Sequence, residues 1–493
     1  MMLKSTEIDL IPDTPNTSPD YYCTWQTQLY ATSDGKPHGQ RAIIGERALF
    51  DCEKPYGWAY FYEQARGDLY IVMDDSWDVP LNGDLAYLGC LQLNGEKFPS
   101  YADGDGLARL TEAVRALGWR GLGGWVCARE SPMVAGDQDP EAYWTKRLTE
   151  ADAAGLSYWK VDWGDRAYDP NFRRSLTEWG REYAPGLTIE HSMLREIIPH
   201  TDVFRTYDVP AIMSISMTME KISGFADLSG EGTTYTAKGI LDCEDEVYMA
   251  ASGGFAMGVM RHPYVGVLPD GRPDMSFPSI HRNLKTKMYE VIRATRWHRI
   301  APAFSLGLGK MLVSETILSD IWRFEDREAE LEAWWFTMDS IKNHLDGEFL
   351  TKNAPAAIAR NTNLPHITPD ENGDIPYCVA ARNPNGAFSL VTLGRTRDRD
   401  YFIPRCDVTV DIGNADTIGV FGEYRNVILK TDRPCVGRIL MQDLAADEAF
   451  DVTHEVTVAD GCITVPGELI HRIGTMAQPE EDTSEPGVVL HIQ

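Results

Sequence analysis

The sequence is short of positive charge, of paired cysteines and of long apolar runs, and each shortage closes off a class of protein. It carries 46 Lys and Arg against 74 Asp and Glu, a formal net charge of -28 over 493 residues. Such a surface repels phosphate backbones and anionic bilayers, so neither nucleic acid nor a membrane is an expected partner, and a neutral substrate fits better. The 9 cysteines include no CxxC pair and are odd in number, which suits reduced thiols better than a disulfide framework or a zinc site. There is no HxH or HExxH motif. The opening stretch "MMLKSTEIDLIPDTPNTSPD" lacks the apolar core of a signal peptide, and no run approaches the roughly 20 apolar residues of a membrane helix. A cytoplasmic location is the expectation. No internal repeat is visible, and the only biased segment is the polar "AQPEEDTSEPG" at 477–487. Homo-oligomerisation is compatible with the sequence, which does not fix it.

What is present is ample core. With 43% hydrophobic and 10% aromatic residues, the chain can bury more than one core, so at least two domains are expected. From residue 68 onward, short apolar runs alternate with helical patterns. "DLYIVMDDSW" (68–77) reads as a strand, "GDGLARLTEAVRALGW" (104–119) as a helix and "RGLGGWVCARES" (120–131) as a strand. "DPEAYWTKRLTEADAAG" (139–155) is a helix, "LSYWKVDWGD" (156–165) a strand and "NFRRSLTEWGREYA" (171–184) a helix. The strands "GLTIEHS" (186–192) and "DVFRTYD" (202–208) follow. Strands alternating with helices imply a parallel sheet, and seven or eight such units in some 300 residues imply a closed (β/α)8 TIM barrel. Helical patterns at 281–301 and 326–345 should complete it. After about residue 350 the texture changes to strand-like alternation with Asn, Pro and Gly turns, at 375–394, 401–413, 417–430 and 462–476. The expected organisation is a catalytic barrel over 1–350 and a C-terminal antiparallel β-sandwich over 351–493.

In such barrels the chemistry lies at the C-terminal ends of the strands. Here those ends carry Asp74 and Asp75, Cys127 with Glu130, Lys160 with Asp162, His191, Arg205 with Asp208, and Asp242. Burying so many charges is costly unless they are paired or used. Lys160 and Asp162 are two residues apart on one strand, so they project from one face, and a nearby cation lowers a carboxylate pKa. Asp208 sits between Thr206, Tyr207, Val209 and Pro210, a drier setting that would raise its pKa, with Arg205 an offset if the two touch. One carboxyl held ionised and one held protonated is the pair that a retaining glycosidase needs. Trp25 and Trp163 are the aromatic faces favoured for stacking on a sugar ring, with Trp77 and Trp125 readable as core.

The ordered set "YIVMDDSW", "FPSYADGDGLARLTEAVRALGWRGLGGWV", "YWKVDWG" and "FRTYDV" resembles the catalytic barrel of the α-galactosidase clan, glycoside hydrolase families 27 and 36, over about residues 20–300. The resemblance implies Asp162 as nucleophile and Asp208 as general acid/base. It implies that Asp74 and Asp75 bind two adjacent sugar hydroxyls, that Lys160 binds the sugar, and that Arg205 and Trp25 line the same pocket. It implies a neutral glycoside or oligosaccharide as substrate and no cofactor. The chain departs from the clan at "YYCTWQTQLY", where a Gly-Trp-Asn-Ser-Trp run is usual, at "EHSML", and in placing Arg205 three rather than four residues before the acid. The sugar is therefore open between an α-galactoside, a β-L-arabinopyranoside and an α-glucoside.

Bland readings stand beside these. Lys160 with Asp162 reads also as a structural ion pair, Asp74 with Asp75 as a cap, and Arg205 with Asp208 as a surface pair. Glu130, Glu190, His191, Asp242 and His262 are each readable as satisfied structural groups. Two other functions compete: a metal-dependent barrel enzyme with Asp75, His191, Asp208, Asp242 and His262 as ligands, and a silent carbohydrate-binding barrel whose aspartates do not face each other.

Overall fold

The computed structural model describes residues 4–31, 39–206, 213–230, 238–264, 284–324, 347–433 and 437–493. Eight parallel strands form one sheet: β1 (Tyr21–Cys23), β2 (Tyr70–Met73), β3 (Gly121–Val126), β4 (Tyr158–Val161), β5 (Thr188–His191), β6 (Val203–Arg205), β7 (Ile240–Asp242) and β8 (Gly258–Val259). Each strand from β1 to β6 pairs with the next. β8 returns to β1 through Tyr21↔Gly258 and Tyr22↔Val259. A parallel bridge from Asp242 to Ala256 joins the remaining seam, so the sheet is a closed barrel.

Strand parity decides what faces where. Ile71, Met73, Leu122, Val126, Trp159, Val161, Ile189, Phe204 and Leu241 belong to the large core shared with the helices. The alternate residues Tyr21, Cys23, Tyr70, Val72 and Tyr158 form a separate cluster with Met260 inside the barrel. Glycine makes room there: a Cβ on Gly123 would lie 2.7 Å from the Tyr158 Cβ. The outer helices begin where local chemistry tells them to. Asp139 and Asp169 each accept hydrogen bonds from helix N–H groups and each precedes a proline in the first turn, which starts Pro140–Ala153 and Pro170–Tyr183. The helical pattern at 281–301 becomes Met288–Ile300, whereas the pattern at 326–345 lies outside the described residues.

The C-terminal region is a sandwich. A nine-stranded sheet and a five-stranded sheet bury one core between them, with Phe388, Leu390, Ile418, Val420, Leu440's neighbours Ile439 and Met441, and Val488 facing Val408, Val410, Val427, Leu429, Ile463 and Val465. Most pairings are antiparallel, and parallel ones join Ala357–Arg360 to Tyr377–Arg382, Phe388–Leu393 to Thr417–Phe421, and Asp407–Gly413 to Asn426–Thr431. Met311–Val313 already pairs with this sheet, ahead of the change in texture near residue 350, and the N-terminal Lys4–Ser5 adds a strand at its other edge. The stretch 462–476, strand-like in sequence, is a strand only to Pro466 and then a helix, Gly467–Gly474. Leu469, Ile470 and Ile473 at helical spacing bury its inner face, and that burial outweighs the flanking strand character.

The barrel and sandwich are joined by a buried arginine. Arg360 donates to the carbonyls of Gly253 (2.8 Å), Gly254 (3.0 Å) and Ser305 (3.1 Å), and its guanidinium lies 3.8 Å from the centre of the Phe304 ring.

Candidate active site

The C-terminal mouth of the barrel is lined by side chains continuing the inward parity of each strand. From β4 come Lys160 and Asp162, from β2 Asp74, from β3 Trp125 and Cys127, from β5 Glu190, from β6 Arg205, and from β7 Asp242 and Glu244.

Asp162 is the best-supported carboxylate of this set. Its Oδ1 accepts from Arg205 Nη2 at 3.2 Å and its Oδ2 from the Trp125 indole N–H at 2.8 Å, while Arg173 donates to its backbone carbonyl at 2.8 Å. Burial pushes this carboxyl up, but Arg205, Lys160, the Trp125 hydrogen bond and Arg173 together outweigh it and hold the pKa below the ordinary aspartate value. Lys160 does not touch Asp162. Its ammonium pairs with Asp74 Oδ2 at 2.7 Å and meets Cys23 Sγ at 3.4 Å. Burial would lower its pKa, yet Asp74 and Cys23 raise it, so it stays charged and acts on Asp162 through its field.

Asp75 points differently from Asp74, because successive residues alternate. It accepts from Arg41 Nε at 2.9 Å and from the Ser76 hydroxyl at 2.7 Å. Burial raises its pKa, with Arg41 opposing. The Arg41 guanidinium also lies 5.6 Å from the Trp163 ring centre, and Trp163 packs on Trp125 at 5.7 Å. Trp163 is thus next to the aspartate that Trp125 holds. Trp25 opens the helix Trp25–Ala31 and rests, partly exposed, on the inner barrel cluster. Cys127 lies with Trp125, Val79 and Leu88 in a small apolar cluster, where burial pushes its thiol well up.

His191 is not brought to this mouth. Parity turns it outward, and it sits under the helix Pro170–Tyr183 with Nδ1 3.1 Å from Arg173 and Nε2 2.8 Å from the Thr177 hydroxyl. Burial and Arg173 lower its pKa, so the ring is neutral. Its neighbour Glu190 occupies the inner face instead. Glu190 accepts from the Tyr158 hydroxyl at 2.6 Å and the Tyr21 hydroxyl at 3.3 Å, and lies 3.1 Å from Arg205 Nε. Burial, then the facing Asp242, push its pKa far up, and burial raises Asp242 to about 6. The two carboxyls form a buried pair beneath Arg205. Alternation within "TIEH" is the signal that favours Glu190 over His191; extending it two residues beyond Asp242 also reaches Glu244. Asp208 lies outside the described residues.

Other sequence candidates are structural. Glu130 accepts from the Trp144 indole at 2.8 Å and from Arg166 at 2.9 Å. His262 is buried against Tyr30 and Tyr264. Asp75, His191, Asp242 and His262 therefore sit in four different surroundings, and among the described residues no three His, Cys, Asp or Glu gather as a metal site. The four described members of the metal-dependent reading's ligand set are not brought together. Nor is any described helix long and apolar enough to cross a membrane.

Fold and site together define a (β/α)8 barrel with a ring of paired charges and indoles at its C-terminal mouth. No family model and no curated protein matches the chain. Among solved structures, a family 27 β-L-arabinopyranosidase from Geobacillus stearothermophilus is 9% identical, covers 97% of this chain and 96% of its own, and superposes with a TM-score of 0.44. An α-amylase from Geobacillus thermoleovorans is 8% identical over 98% and 99%, at 0.42. A candidate α-galactosidase/melibiase from Bacteroides fragilis is 10% identical over 96% and 79%, at 0.34. These neighbours are glycoside hydrolases or candidates for that class. At such values they transfer nothing to this chain, whose fold rests on its own strand order.

Proposed function

We propose that the protein is a retaining glycoside hydrolase that acts on α-galactoside-like substrates by double displacement, with Asp162 as nucleophile and Asp208 as general acid/base. The observation that carries this reading is the environment of Asp162: a strand-end carboxylate at a barrel mouth, kept ionised by Arg205 and Trp125 rather than neutralised by burial. Each of its oxygens accepts one fixed donor, so each keeps a lone pair for attack on an anomeric carbon. Oriented donors that hold a carboxylate in place are what a covalent route through a glycosyl-enzyme requires. In the sequence Asp208 follows Arg205, the last residue of β6, by three positions. As acid it protonates the departing oxygen, and as base it activates the water that releases the sugar.

Binding follows from the same ring. Lys160 has three N–H donors, of which Asp74 and Cys23 use two, so a third is available to a sugar hydroxyl. Asp74 and Asp75, held by Lys160 and Arg41, are acceptors for two adjacent hydroxyls. Trp163 and Trp25 offer faces to the apolar side of the ring. A net charge of -28 suits a neutral glycoside. The test is trapping. After incubation with 5-fluoro-α-D-galactopyranosyl fluoride, peptide mass mapping should find one glycosyl group on Asp162. A label on a different side chain overturns the assignment, and absence of turnover on aryl α-galactoside, β-L-arabinopyranoside and α-glucoside alike overturns the glycosidase reading.

A further inference from the structure

Glu244 has no place in the machinery described so far, yet its backbone is contorted to put it there. It follows β7 in a turn where Glu244 has φ +36° and Asp245 φ +62°, two consecutive non-glycine residues in the left-handed region. Such conformations persist only where surrounding structure enforces them, and they gather at functional sites. The enforcement is visible. The Glu244 N–H donates to Asp242 Oδ1 at 2.8 Å, and the Asp245 N–H to the Gly258 carbonyl at 3.0 Å. Buried Arg261 grips Asp245 through its carboxylate and its carbonyl, both at 3.0 Å, and is itself held by Glu290 at 2.7 Å.

The clamp keeps Glu244 in phase with Asp242, one step nearer the barrel mouth. Its Oε1 lies 3.5 Å from Arg205 Nη1, while Nη2 of the same guanidinium holds Asp162 Oδ1 at 3.2 Å. The two carboxylates therefore flank one cation. Their side chains are 9% and 11% exposed, so neither is sealed within the barrel. Glu244 Oε2 is buried, and among the described residues no donor reaches it. A buried carboxylate oxygen without a donor is costly, and Arg205 already serves Glu190 and Asp162 as well. The missing partner is a donor that arrives with the ligand. When Asp162 attacks an anomeric carbon, the hydroxyl nearest to that reaction is the one on the adjacent ring carbon.

We propose that Glu244 is a substrate-binding, specificity-determining carboxylate whose Oε2 accepts a hydrogen bond from the 2-hydroxyl of the sugar, so that the site selects glycosides with a free hydroxyl at that carbon. This rests on the glycosidase reading with Asp162 as nucleophile. Hydrogen bonds to the 2-hydroxyl strengthen as the oxocarbenium-like transition state forms, so the contact acts on kcat/KM and not on binding alone.

The experiment compares p-nitrophenyl glycosides with their 2-deoxy counterparts, in whichever of the galacto, arabino and gluco series the wild type turns over. Wild type, Glu244→Gln and Glu244→Ala are each assayed with both members of the pair. For Glu244→Gln, kcat/KM on the parent glycoside should fall about 10- to 100-fold, with the 2-deoxy glycoside affected no more than about threefold. Both substrates are read on one preparation, so partial misfolding or a disturbed Arg205 cancels in their ratio, and Glu244→Ala should give the same selective loss. An equal loss on both substrates, or none on either, overturns the proposal. If Asp162 is still labelled by the fluoride, the nucleophile reading survives that result; lack of turnover in all three series removes both.

Discussion

Replacing Trp125 with Phe tests how Asp162 is kept ionised. The substitution keeps an aromatic ring beside Trp163 but deletes the N–H that reaches Asp162 Oδ2 at 2.8 Å. A hydrogen bond to a charged acceptor contributes about 1.5–3 kcal/mol, so the ionised carboxylate loses support of that order and its pKa should rise. Arg205 and Lys160 remain, which keeps the shift from being larger. The direction is fixed by chemistry: the lost donor favoured the charged form, so Asp162 in the variant holds its proton to higher pH. The acidic limb of kcat/KM against pH, measured on an activated aryl glycoside that needs little leaving-group protonation, should move to higher pH. The alkaline limb, read on a glycoside with a poor leaving group, should stay where it is, because there it reports the acid. A folded variant with an unmoved acidic limb would refute the claim that this indole maintains the nucleophile.

Other expectations are separable from that one. Asp208→Ala should slow glycosides with poor leaving groups far more than aryl glycosides, as read by a leaving-group series; uniform loss contradicts the acid role. His191→Ala should destabilise the fold by about 1–3 kcal/mol, because Arg173 Nη1 and the Thr177 hydroxyl lose a buried partner, and should leave KM unchanged. A raised KM without loss of stability would instead put His191 in contact with the sugar. Asp242 is raised by burial to about 6, against about 3.9 for an unfolded aspartate. Between those values the native state holds a proton that the unfolded chain has released, so this group makes stability fall as pH rises from about 4 to about 6. Asp242→Asn should flatten that slope in denaturation midpoints taken across the window, and an unchanged slope contradicts the burial argument.

The sequence by itself determined the architecture of the first region. Alternating strands and helices, with Asp-Pro starts at 139 and 169, carry local signals that do not depend on distant partners, and the barrel's β2 to β6 lie where the apolar runs place them. The strand-end charges were legible too, because a carboxylate or lysine after a buried strand is conspicuous. Partnership was not. Proximity along the chain suggested that Lys160 guards Asp162, which it does through its field, but the closed sheet gives its direct contact to Asp74 on β2 and brings Arg205 to Asp162 on β4. Those pairings join residues 86 and 43 positions apart, and only closure of the barrel sets them. The same holds for His191 and Glu190. Both are polar and adjacent, and strand phase alone sends one beneath a helix and the other to the axis. Alternation reaches Glu244 on paper, but that the phase survives past the end of β7 depended on tertiary structure, because no local rule predicts two left-handed residues that a buried arginine must hold in place. Local sequence sets which elements form and which polar groups end them, since those choices are made within a few residues. Which charge meets which is decided by the curvature of the sheet, a property of all eight strands at once.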